Sequence, residues 1–203
     1  GYYETMLSIV SLFFMIATTT LIIPFVRLYT RNVHDVNYIV PIFAVLLILS
    51  SMIFCLRFPY HSVVIAAGKF KETEWASYGE AIANITVSVV LVKKFGLVGV
   101  ASGTVAAVVF RFLFYVWYLS KNVICRDLAL FIKRTGVNIG TYIIGVYLGD
   151  RVVRLMIFDS YFDWIKGAIG VSVLSMGIVL MVISIFYKKD VKELGGIVLR
   201  KLK

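Results

Sequence analysis

Arg57, Glu80 and Arg111 are ionisable residues set inside stretches that are otherwise almost wholly apolar. Arginine there points to anion chemistry. Its planar guanidinium stays protonated and offers paired N–H donors to phosphate or carboxylate oxygens, whereas a lysine is more readily neutralised by burial. Arg57 lies eleven residues before Gly68, Glu80 nine after Lys71, and Arg111 ten before Lys121. In helices rising about 1.5 Å per residue, these offsets put each group roughly 14–16 Å from one edge, near the middle of a bilayer core about 30 Å thick. A charge at that depth costs about 2.5–3.5 kcal/mol on insertion scales and must face protein or a water-filled cavity. Two arginines against one carboxylate leave a single net positive charge, which an anionic substrate would balance.

The plainer alternative is a Glu80–Arg111 pair that only locks two helices together, with Arg57 snorkelling at a kink beside Pro59. His61, one turn from Arg57, could add a donor or act as a proton-coupled switch, although a lone histidine near a kink is more often structural. Asn84, Thr86 and Ser88 could line the same cavity or simply bond neighbouring helices. The sequon Asn84-Ile85-Thr86 lies in an apolar run and is not read as a glycosylation site. Arg57, Arg111, Glu80, His61 and Asn84 are therefore the expected substrate-binding set.

The elements that hold them are membrane spans. Uncharged runs of 21 residues occupy 6–26 and 36–56, each long enough to cross the hydrocarbon core as a helix, and 61% of the chain is hydrophobic. The expected fold is all-α, a polytopic membrane helix bundle of about six transmembrane helices over residues 1–187. The spans are placed at about 3–29, 38–68, 73–92, 97–119, 135–149 and 167–187, with a basic tail over 188–203. The second is read as one long, tilted helix kinked at Pro59, with a loop and re-entrant piece as the alternative. Gly99, Ser102 and Gly103 in the fourth span, and Gly136, Gly140, Gly145 and Gly149 in the fifth, have spacings that let another helix approach closely. Residues 150–166 mix charge with Met156, Phe158, Tyr161, Phe162 and Trp164, the composition of an interfacial segment.

Alternate links divide the basic residues unequally. One side receives Lys69, Lys71, Lys121, Arg126, Lys133, Arg134, Lys188, Lys189, Lys192, Arg200, Lys201 and Lys203; the other receives Arg27, Arg31, Lys93, Lys94, Arg151, Arg154 and Lys166. The richer side is expected to be cytoplasmic, which puts both ends of the chain inside. The net charge of +10 is accounted for by such loops and by anionic head groups, so nucleic acid is not an expected partner. A signal peptide does not fit residues 6–26, which are too long and lack a preceding basic segment and a cleavage site. The first residue, Gly1, leads almost directly into a span, which suggests the C-terminal part of a longer protein.

Catalysis is not expected. No nucleophile–base constellation, metal motif or phosphate-cradling glycine loop appears, and neither cofactor nor metal is implied. Asp159 and Asp163 sit in the interfacial segment and read as a solvated face. Cys55 and Cys125 are isolated, without metal-ligand spacing or a disulfide framework.

Three pieces between Tyr60 and Thr104 carry a family likeness. They are Ala67-Gly68-Lys69-Phe70-Lys71 ending one helix, Asn84 in the next, and Phe95-Gly96-Leu97-Val98-Gly99-Val100-Ala101-Ser102-Gly103-Thr104 opening a third. In order and spacing this stretch, about the middle quarter of the chain, resembles the later half of the oligosaccharidyl-lipid/polysaccharide exporters. Their superfamily also holds multidrug–cation antiporters and the lipid II flippase. The resemblance implies a two-lobed bundle, with this chain as the last six helices of fourteen and an N-terminal lobe of the same protein as its partner. It implies translocation of undecaprenyl-diphosphate-linked oligosaccharide across the bacterial cytoplasmic (inner) membrane by alternating access. That step serves polysaccharide or lipopolysaccharide biosynthesis, with membrane lipids and a glycan polymerase as further partners. A cation-coupled multidrug antiporter and a lipid II flippase are the alternatives. No family motif assigns roles to Arg57, Glu80 or Arg111; their place in the site comes from depth.

Overall fold

The computed structural model describes residues 2–33, 38–123 and 128–201. All its regular elements are helices: α1 Tyr2–Tyr29, α2 Pro41–Ala66, α3 Phe70–Phe95, α4 Leu97–Asn122, α5 Leu128–Arg154, α6 Tyr161–Phe186 and α7 Lys188–Lys201. Five of them, α1 to α4 and α6, are long and apolar enough to cross a membrane. The chain is an all-α, multi-pass membrane protein, and many large apolar side chains stand exposed on its helices, as a lipid-facing surface requires.

Several boundaries differ from the sequence reading. α2 is shorter than 38–68 because Pro41 opens it at the first helical position and Gly68, with φ +67°, ends the run. It is helical straight through Pro59, which removes the loop alternative. α3 begins at Phe70 rather than at 73, so Lys71 and Glu72 belong to its first turn. α5 extends beyond 135–149 at both ends, since charged residues at helix ends can stay solvated while the backbone ladder continues. Parts of the links after α1 and α4, Cys125 among them, lie outside the described residues.

The chain forms two compact units, Gly1–Ile39 with Val137–Lys203, and Val40–Gly136. In the second unit α3 and α4 form an antiparallel hairpin joined by Gly96 alone, at φ +54°. Their backbones nearly touch. A Cβ on Gly99 would sit 2.5 Å from the Leu91 carbonyl, and one on Gly103 would sit 2.8 Å from Ser88 N and 3.0 Å from Asn84 O. α2 lies along α4 in the same direction, with Val64, Tyr115 and Leu119 buried together and Tyr60, Val63 and Phe114 around them.

In the first unit α5 runs parallel to α1. Asn138 Nδ2 donates to Ser8 Oγ at 3.3 Å, and Tyr142 and Thr19 hydroxyls meet at 3.1 Å. Gly145 faces Ile16, and Gly149 faces Thr20. α5 is not among the five strongly apolar helices, yet its middle lies beside residues 8–20 of α1 and so occupies the same layer. Buried polar groups, Asn138 and Thr141, replace apolar ones along this face. Gly136 and Gly140, expected to pack as well, face open space. α6 returns antiparallel to α1: Trp164 Nε1 donates to the Leu21 carbonyl at 3.3 Å, and Val171 packs on Ala17 and Leu21. At the far end Thr5 Oγ1 donates to Asp190 Oδ2 of α7 at 2.7 Å, which puts the start of α1 and the start of α7 on one side.

Candidate functional site

Register in the second unit follows from its glycines. Because Gly99 and Gly103 bring α4 against Leu91, Ser88 and Asn84, the antiparallel hairpin continues until Gly79 meets Phe110 and Glu80 meets Arg111. The parallel α2–α4 contact places Arg57 at the same height, where α2 turns it toward α3. Arg57, Glu80 and Arg111 therefore come together from three helices.

Glu80 stands between the two arginines. Its Oε1 accepts from Arg57 Nη1 at 2.9 Å and its Oε2 from Arg111 Nη1 at 2.5 Å. Arg57 does not snorkel; it is 8% exposed, with its guanidinium carbon 4.6 Å from the Phe54 ring centroid. The two pairings are charge-assisted, and burial makes each stronger than it would be in water. One carboxylate cannot neutralise two guanidinium groups, so the cluster carries one net positive charge.

Sequence reading missed Tyr115, although its position four residues after Arg111 on the same helical face was visible. Its hydroxyl accepts from Arg111 Nε at 3.3 Å and Nη2 at 3.0 Å, and lies 3.2 Å from His61 Nδ1. A phenol oxygen has two lone pairs and one proton. With Arg111 donating to the oxygen, the hydroxyl proton is available to His61 Nδ1. His61, four residues after Arg57, thus closes a chain that runs His61, Tyr115, Arg111, Glu80, Arg57.

Asn84 does not join this chain. Its Oδ1 accepts from Ser88 Oγ at 3.1 Å, and Ser88 also reaches the Val100 carbonyl at 3.3 Å, so these two groups serve the α3–α4 contact. Thr86 is exposed. Arg57 keeps further donors in hand: apart from Nη1, its N–H groups meet no acceptor among the described residues. Arg111, by contrast, is engaged through all three of its nitrogens. Among the described residues no group of three or more His, Cys, Asp or Glu is placed to hold a metal. No protein-family model matches this chain, and no curated protein or solved structure matches it at a significant level.

Proposed function

We propose that this chain is the C-terminal lobe of a flippase that carries undecaprenyl-diphosphate-linked oligosaccharide across the bacterial cytoplasmic membrane by alternating access, as a carrier and not a catalyst. The observation that carries the proposal is the buried guanidinium of Arg57, one edge on Glu80 and the other edge without an acceptor among the described residues, in a cluster of net positive charge. A diphosphate supplies what that edge lacks, paired anionic oxygens. In the loaded state the diphosphate binds Arg57 and competes with Glu80 for Arg111. In the empty state Glu80 takes both arginines back, which neutralises most of the cluster while the cavity reorients. The polar head, diphosphate and glycan together, needs a protein path that replaces water's solvation, while the polyprenyl tail stays in lipid. The N-terminal lobe of the parent protein completes the cavity.

A drug–cation antiporter of the same superfamily fits less well, because both oxygens of Glu80, the carboxylate of the cluster, are already held by arginines. A lipid II flippase would use the same diphosphate chemistry and differ in the sugar. Both ends of this chain lie in the cytoplasm on this reading, from the excess of Lys and Arg on their side.

The test is complementation of a strain lacking the parent protein by the full-length chain carrying Arg57→Gln or Arg111→Gln. Both variants are expected to reach the membrane in normal amount and to abolish surface polysaccharide. Normal polysaccharide from both would remove the proposal, and drug resistance lost in Glu80→Gln would favour the antiporter.

A further inference from the structure

A cleft of about 770 Å³ opens in the first unit, between the end of α1, the end of α5 and the residues that lead into α6. Its wall holds four charged side chains, Arg27, Asp150, Arg154 and Asp159. Arg154 Nε and Asp150 Oδ2 close on each other at 2.6 Å. Arg27 and the Asp159 carboxylate do not: neither makes an ion pair or side-chain hydrogen bond among the described residues, and both are exposed. Asp159 is held in place through its backbone, whose carbonyl accepts from Arg31 Nη1 at 3.4 Å. Among the described residues the cleft thus presents one free cation and one free anion that line the same space without meeting.

Such a site repels neither sign and favours a ligand with both. A simple anion would face Asp159 and Asp150, and a simple cation would face Arg27 and Arg154. The surroundings add a second requirement. Ile157, 79% exposed, lines the cleft with Ile23, Pro24 and Val153 as an apolar wall, and Leu155, two residues before it in the segment between α5 and α6, is 87% exposed. Arg27 stands in the last turn of a membrane-crossing helix, at the depth where apolar core gives way to head groups. Bare Leu and Ile side chains at that level belong against acyl chains. The ligand must therefore be an amphiphile with a zwitterionic head.

We propose that this cleft binds the head group of a zwitterionic phospholipid bearing a primary ammonium, with its phosphate on Arg27 and its ammonium on Asp159. Phosphatidylethanolamine is the probe of that class. An ammonium donates hydrogen bonds to the carboxylate, which a trimethylated head cannot do, so phosphatidylcholine binds less well. The site is independent of the Arg57–Glu80–Arg111 cluster, and its test does not rest on flippase activity.

The experiment is native mass spectrometry of the purified chain in detergent, titrated with phosphatidylethanolamine, phosphatidylcholine or phosphatidylglycerol, with the melting temperature in detergent alone as the check of folding. Retention of phosphatidylethanolamine is expected to exceed that of the other two. Arg27→Gln and Asp159→Asn, at unpaired and exposed positions, are expected to melt as the parent does and to weaken that retention about tenfold each, the loss of one charge-assisted hydrogen bond. Arg57→Gln is expected to retain the lipid as the parent does. Equal retention of all three lipids, preference for phosphatidylglycerol, or unchanged retention in both cleft variants would overturn the assignment.

Discussion

Arg111 lays two guanidinium nitrogens, Nε and Nη2, on the one hydroxyl of Tyr115, a single helical turn away on α4. This contact leaves Nη1 free to aim at Glu80 across the hairpin. Tyr115 is 1% exposed and belongs to the buried cluster with Val64 and Leu119, so the guanidinium is aimed by a group that cannot itself move.

Tyr115→Phe keeps the ring in that cluster and removes only the hydroxyl. With hydrogen bonds to charged groups contributing about 1.5–3 kcal/mol, surface polysaccharide in the complementation assay should fall by about tenfold or more. Protein abundance should not change. Parental export from this variant would mean that Arg111 holds its position without the phenol.

The three charges should differ in what they do for folding. Glu80→Gln leaves two buried guanidinium groups without a counterion, and the expected loss is about 3–5 kcal/mol, read as a lower melting temperature in detergent. Arg57→Gln leaves one neutral Glu80–Arg111 pair and should melt much closer to the parent. The reverse order would show that Arg57, and not Glu80, organises the cluster.

The α3–α4 hairpin should tolerate no side chain at its glycines. A Cβ at Gly99 or Gly103 meets backbone of α3 at under 3 Å, and backbone cannot swing aside as a flexible side chain does. Gly99→Ala and Gly103→Ala should each destabilise by about 1–3 kcal/mol and disturb the Glu80–Arg111 register. Gly140→Ala on α5, which faces open space, should be neutral in the same melting assay. Equal effects at Gly103 and Gly140 would contradict the close backbone contact.

Topology can be read by labelling single cysteines with a membrane-impermeant maleimide, in a background where Cys55 and Cys125 are replaced by Ser. Glu4→Cys and Glu193→Cys should label from one side, because Thr5 and Asp190 are hydrogen-bonded. Asp159→Cys should label from the other side, since α1 and the parallel α5 both end there. Labelling of all three from the same side would rule out the crossing by α5.

Membrane residence, the all-helical fold and the approximate place of each helix were legible in the sequence, because the cost of unpaired backbone in hydrocarbon forces long apolar runs into helices. Relative height was legible too. A fixed rise per residue turns the distance from Gly68, Lys71 or Lys121 into a height, and this arithmetic set Arg57, Glu80 and Arg111 level before any packing was known. Azimuth was not legible. That Glu80 meets Arg111 depends on the close approach that Gly99 and Gly103 permit between α3 and α4, and that Arg57 shares Glu80 rather than snorkelling depends on how α2 packs along α4. The same limit explains Asn84, level with the hairpin contact but engaged by Ser88, and Gly136 and Gly140, spaced for packing yet unpacked. α5 shows it too: the span read at 135–149 was too short because of its charged ends, and the face it covers is given only by its contacts with Ser8, Ile16, Thr19 and Thr20. Composition determines the solvent a segment prefers, while the partner that covers each face is decided by long-range packing that no local run of residues encodes.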